Sequence, residues 1–140
     1  MSRIFWDSNL FIYLFENNPR FAQTVEDLWQ NMLHRQDQLF TSTLTIGEVL
    51  VKPTAVGDQA LCRQYEKTLH HAATILSFDL KAARRYATIR STTSIKGPDA
   101  IQLACAGEAG IDLFVTNDRR LQGKKLDGIQ FIVALDQVPI

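Results

Sequence analysis

Five short runs of β character, Arg3–Trp6, Gln38–Ser42, Thr74–Leu76, Ile111–Val115 and Ile129–Ala134, alternate with longer stretches whose apolar residues recur at helical spacing. Phe21, Val25, Leu28, Trp29, Met32 and Leu33 make one helical stripe, and Leu61, Tyr65 and Leu69 make another. Parallel strands need a crossover between them, and a helix usually supplies it. The alternation therefore predicts βαβ units: an α/β fold with a mostly parallel sheet and helices on both faces.

Punctuation residues set the boundaries. Asp7-Ser8-Asn9 caps a helix carrying Leu10 to Phe15, and Asn17-Asn18-Pro19 breaks the chain before the next helix. A helix over Leu44–Val51 is expected to stop at Pro53, and another runs from Gly57 to His71. Asp79 starts a helix carrying Leu80, Ala83, Ala87 and Ile89. The Gly97-Pro98 loop precedes a helix over Asp99–Ala109, closed by Gly110. After Thr116-Asn117-Asp118 a short helical turn runs through Leu121.

At 140 residues the chain has the length of one domain, with no linker or internal repeat, and no apolar run approaches a membrane span. The N-terminus meets Asp7 before a signal-peptide core can form, so a cytoplasmic location is expected. Cys62 and Cys105 stand far apart with no metal-ligand spacing, which argues against a disulfide framework or structural zinc. The balance of 15 basic and 15 acidic side chains conceals an asymmetry. Lys81, Arg84, Arg85, Arg90, Lys96, Arg119, Arg120, Lys124 and Lys125 all fall between residues 77 and 125. Such clusters are usually solvated helix faces, and alone this one is weak evidence for a polyanionic partner.

In open parallel sheets, ligands bind where the carboxyl ends of the strands meet. Asp7 follows the first strand, Glu48 lies on the helix after the second, Asp99 opens the helix after Gly97-Pro98, and Asp118 follows the fourth strand. Acids gathered at one edge repel each other unless a cation neutralises them. An all-oxygen set suits Mg²⁺ or Mn²⁺, whose chemistry with phosphate oxygens is phosphodiester hydrolysis. Ordinary structural readings stand beside this one: Asp7 as a helix cap, Asp99 as a first-turn acid, Asp118 as a turn residue. Glu48 is the most telling of the four, because an unpaired charge among Leu44, Ile46, Val49 and Leu50 is expensive.

Four segments in order, Ile4-Phe5-Trp6-Asp7-Ser8-Asn9, Thr43-Leu44-Thr45-Ile46-Gly47-Glu48-Val49, Gly97-Pro98-Asp99-Ala100-Ile101-Gln102-Leu103-Ala104 and Leu113-Phe114-Val115-Thr116-Asn117-Asp118, together resemble a PIN domain. In particular they resemble the VapC-type ribonuclease toxins of bacterial toxin–antitoxin pairs. The resemblance implies one PIN domain over residues 1–140, a three-layer αβα sandwich, and a Mg²⁺- or Mn²⁺-dependent endoribonuclease. It implies Asp7 and Asp99 as the principal metal-binding acids, with Glu48 and Asp118 completing a catalytic quartet. Thr116 takes a supporting role, hydrogen-bonding a metal-ligating carboxylate or a water on the metal. Asn9 falls where the family often has a small polar residue, although backbone capping explains it equally well. The implied partners are RNA, a cognate antitoxin whose tail enters the acidic groove, and a second copy in a homodimer, with no membrane involved.

Cations must offset the acids if RNA is to approach, and Lys96 and Arg119 are the favoured phosphate-positioning candidates among the five that lie close in sequence. Metal-free acid–base cleavage by His34, His70 or His71 is disfavoured, because these lie on helices expected to be remote from the sheet edge. Two further readings stay open: an RNA-processing nuclease without an antitoxin, and a non-catalytic module holding metal or a partner's basic tail. A phosphoacceptor domain is discounted because Asp7-Ser8-Asn9 lacks the second acid of the phosphatase motif.

Overall fold

The computed structural model describes all residues, Met1–Ile140. Five strands, β1 (Arg3–Trp6), β2 (Gln38–Ser42), β3 (Thr74–Leu76), β4 (Ile111–Thr116) and β5 (Ile129–Ala134), form one sheet in the order β3-β2-β1-β4-β5. Every pairing is parallel, with Phe5 in register with Phe40 on one side and Phe114 on the other. Six helices cross between them: α1 (Ser8–Phe15), α2 (Ala22–Arg35), α3 (Thr43–Ala55), α4 (Gln59–Ala72), α5 (Leu80–Thr92) and α6 (Gly97–Ala109). None is long and apolar enough to cross a membrane.

Successive strand residues point to opposite faces, and both faces are covered. Ile4, Trp6, Leu113 and Val115 pack with Leu10, Val25, Met32, Val49 and Leu69 from α1 to α4. Phe5 and Phe114, stacked with ring centroids 4.9 Å apart, pack with Ile89 of α5 and Leu103 and Ala104 of α6. The result is the αβα sandwich expected from the alternation. Trp6 is buried edge-on to Trp29 at 6.0 Å and is a packing residue.

Several boundaries differ from the sequence expectations. Pro53 does not stop the helix; α3 continues to Ala55, with Pro53 buried inside it. Pro53 lies in the last turn, so its missing N–H removes one bond near an end that frays anyway, and its ring is buried beside Ile12, Phe15 and Tyr65. Helix α6 starts at Gly97, with Pro98 in its first turn, because a proline's fixed φ suits a helix start. Helix α4 starts at Gln59, capped by the Asp58 carboxylate on the Leu61 N–H, since Gly57 is left-handed at φ +73°. Residues 117–121 form a turn closed by the Leu121 N–H on the Asp118 carbonyl, and a 3₁₀ turn at Leu135–Gln137 follows β5.

The C-terminal end of α6 meets the turn before β5 backbone to backbone. Gly128, at φ +85°, has its Cα where an added Cβ would lie 2.1 Å from the Gly107 carbonyl oxygen, and its own carbonyl accepts from the Ile111 N–H at 2.8 Å. Gly128→Ala therefore combines a left-handed penalty with a clash against rigid backbone. Thermal unfolding is expected to show a loss of about 2–4 kcal/mol, and wild-type stability in that variant would contradict the close approach.

Candidate metal and catalytic site

Strand β1 delivers Asp7 to the carboxyl edge of the sheet, where its N–H donates to the Val115 carbonyl at 3.0 Å and extends the β1–β4 pairing by one residue. Its carboxylate is buried and fixed at both oxygens. Oδ1 accepts from the Ser8 N–H at 2.9 Å and Oδ2 from the Thr116 hydroxyl at 2.8 Å. Burial pushes its carboxyl up to about 6, with smaller upward pushes from Asp99 and Glu48 and a partial offset from the two hydrogen bonds.

The other acids are tied to the same point. Glu48 on α3 accepts from the Ser8 hydroxyl at 2.9 Å, which attaches α3 to the start of α1. Thr116, fully buried, also accepts from the Asp118 N–H at 3.0 Å, so one hydroxyl fixes the carboxylate of Asp7 and the backbone of Asp118. Asp99 lies in the first turn of α6; burial and then Asp118 raise its pKa, against the pull of Arg120 and Lys96. Asp118 is lowered, chiefly by its hydrogen bond from Arg120.

A layer of buried polar groups beneath the acids holds α6 to β2 and α3. The Ser42 hydroxyl donates to the Gln102 Oε1, and the Gln102 Nε2 donates to the Thr45 hydroxyl at 2.8 Å. Thr45 and Thr41 pair through their hydroxyls at 2.7 Å, and Thr41 is hydrogen-bonded to the Trp6 carbonyl at 3.0 Å. Gln102 follows Asp99 by less than one turn of α6, so this network sets where Asp99 stands relative to Asp7. Sequence reasoning missed it; the signal was an amide in the otherwise apolar run Ala100-Ile101-Gln102-Leu103-Ala104.

The predicted residues do not all gather. Asp7, Glu48, Asp99, Asp118 and Thr116 come together at one edge. Asn9 lies in the first turn of α1 and does not cap it; Asp7 takes that role, and the Asn9 Oδ1 is buried without a partner. Lys96 immediately precedes α6 and acts on both Asp99 and Asp118. Arg119 instead lines a separate cavity with Arg20 and Phe21. The guanidinium on the acids is that of its neighbour Arg120, which grips Asp118 at 2.7 and 3.0 Å and lies 4.0 Å from Asp99.

No three carboxylate, imidazole or thiol groups stand close enough to enclose an ion by themselves. The donor set is nonetheless all oxygen, and Mg²⁺ or Mn²⁺ commonly meets protein through one or two carboxylates and keeps several waters. The residues fit such an open, hydrated site and do not fit a closed cage.

The PIN domain family model matches residues 4–125. No curated protein sequence matches the chain. Among solved structures, the chain is similar to VapBC2 from Rickettsia felis bound to a DNA fragment from its promoter, with TM-score 0.74 and 12% identity over 94% of this chain and 97% of that one. It is also similar to DNA-bound VapBC from Salmonella typhimurium, with TM-score 0.72 and 19% identity over 96% and 99%. A toxin–antitoxin complex from Klebsiella pneumoniae gives TM-score 0.65 and 23% identity over 91% and 95%.

The elevated Asp7 carboxyl has a consequence for stability. Unfolded, it ionises near 3.9; folded, near 6, so between those values the fold holds a proton that the unfolded chain has released. Stability contributed by this group is thus greatest below about pH 4 and falls as pH rises through about 6, by at most roughly 3 kcal/mol. Asp7→Asn keeps a side chain that can cap α1 and removes the charge. With EDTA at neutral pH the variant is expected to melt higher than wild type and to lose the slope between about pH 4 and 6; a lower Tm would contradict the assignment.

Proposed function

The chain belongs to the PIN-domain family, and we propose that it is a Mg²⁺- or Mn²⁺-dependent endoribonuclease acting as the toxin of a toxin–antitoxin pair. The observation that carries this reading is Asp7, buried and held at both oxygens by Ser8 and Thr116, with Glu48, Asp99 and Asp118 around it at the edge where a parallel sheet binds its ligand. PIN domains are generally nucleases, and the structures similar to this chain are toxin–antitoxin complexes.

In this reading Asp7 and Asp99 hold the cation, with Glu48 and Asp118 as the further acids. The ion, when bound, supplies charge that offsets the carboxylates and acidifies a water for attack on phosphorus. The remaining work belongs to the chain. Thr116 orients Asp7 by donating to it, and Ser8 does the same for Glu48. Arg120 neutralises Asp118 and is mostly exposed, so an arriving phosphate draws on a cation already stationed at the site. Lys96 adds a second. RNA is the substrate, a cognate antitoxin places a basic side chain among the same carboxylates to block it, and the toxin works in the cytoplasm as a homodimer.

Cleavage of an RNA pool tests this directly. Cuts are expected with Mg²⁺ or Mn²⁺ and not with EDTA. Asp7→Asn or Asp99→Asn should lower the rate by more than about 100-fold, and Thr116→Val, which removes only the orienting hydroxyl, by about 10–100-fold. Cleavage that ignores EDTA, or that survives in Asp7→Asn, would exclude this site as its source.

A further inference from the structure

The two arginines that follow Asp118 part company. Arg120 turns to the acids and shares a cavity with Lys96, Asp99 and Lys124, against the start of α6. Arg119 lines a cavity of about 550 Å³ on the other side of the sheet edge, with Arg20, Phe21 and Thr24 near the start of α2, Asn117, and the chain leaving β5. Asn117 joins this second cavity to the acids, since it stands between Thr116 and Asp118 in the chain.

The second cavity is equipped for an anion with a flat group attached. Neither the Arg20 nor the Arg119 guanidinium makes a hydrogen bond or an ion pair within the protein, although Asp136 lines the same space. Arg20 is held over the Phe21 ring, 5.0 Å from its centroid, and Phe21 stacks on Tyr13 at 4.7 Å. The Asn117 amide donates to the Tyr13 hydroxyl at 3.2 Å, which ties this aromatic pair to the segment bearing Asp118. The Arg20 guanidinium is thus held in place, both guanidinium groups keep their donors unspent, and the volume suits one nucleotide.

We propose that the Arg20–Arg119 cavity binds a nucleotide of the RNA strand next to the scissile phosphate, with its backbone phosphate on the two guanidinium groups. This rests on the ribonuclease reading. The strand then crosses the sheet edge from the Lys96–Arg120–Lys124 side, over the four acids, to the Arg20–Arg119 side. A polyanion fits this layout better than a free small anion, because cations lie on both sides of the acids and one continuous ligand reaches both.

The test uses a fluorescein-labelled single-stranded oligoribonucleotide pool and fluorescence anisotropy with Ca²⁺ in place of Mg²⁺, a gel after each titration checking that the strand is uncut. Arg20→Gln with Arg119→Gln is compared with Lys81→Gln and Arg84→Gln, a pair of equal charge on α5; all four side chains are exposed, and Tm checks each fold. The first pair should weaken binding at least about 10-fold and reduce the slope of log affinity against log salt by about 0.7, the loss of one phosphate contact, while the second leaves both unchanged. On cleavable RNA the first pair should raise KM with kcat unaltered. Unchanged affinity and slope in the first pair, or an equal loss in the second, would overturn the assignment while wild-type cleavage still stands. Wild type that neither binds nor cleaves RNA would remove the ribonuclease reading and this proposal together.

Discussion

A carboxylate held out of water at the end of β1 is the constraint around which the rest of this molecule is arranged. Asp7 directly follows a buried strand, caps α1 and touches β4, so three elements fix its position. Burial alone would favour its neutral form, and the neighbouring acids add to that pressure. Two hydrogen bonds to the ionised oxygens resist, and they resist only in part. The site is therefore built with a standing preference for added positive charge, whether a proton, a metal ion or a basic side chain. The bidentate grip of Arg120 on Asp118 is the chain's own expression of that preference.

Around this point short polar side chains act as spacers between elements. Ser8 ties α1 to α3 through Glu48, and Thr116 ties β1 to the segment after β4. Gln102, with Ser42, Thr45 and Thr41, ties α6 to β2, α3 and β1. Each of these groups is buried or half-buried, and each would cost about 1–3 kcal/mol if left without its partner. A shift of one helix strands several at once, so the acids keep their spacing despite mutual repulsion. Apolar packing alone would tolerate sliding of α6 far better.

Much of this was legible in the sequence. The five strands fall where the β-type runs predicted, because a parallel sheet covered on both faces favours short runs rich in β-branched and aromatic residues. Asp7, Asp99 and Asp118 were candidates by position, each just beyond the end of a strand or at the start of a helix. Glu48 stood out because its neighbours are apolar. The misreadings have physical causes. Pro53 marks a helix end in isolation, but burial of its ring against α1 and α4 lets α3 run past it. Gln102 gave only a faint signal, since its partners Ser42 and Thr45 are far away in the chain. Arg119 and Arg120 are neighbours in a turn, and sequence adjacency does not say which of them faces the acids.

In the proposed reading, a divalent cation and a proton compete for Asp7. Calorimetric titration of the purified protein with Mn²⁺ at about pH 5 and again at about pH 7.5 measures that competition without reference to any substrate. With its carboxyl near 6, Asp7 is mostly protonated at the lower pH and mostly ionised at the higher one. Mn²⁺ is expected to bind about 10-fold more weakly at pH 5, with protons released on binding. Equal affinity at the two pH values, or no binding at either, would contradict the claim that Asp7 is the heart of a metal site.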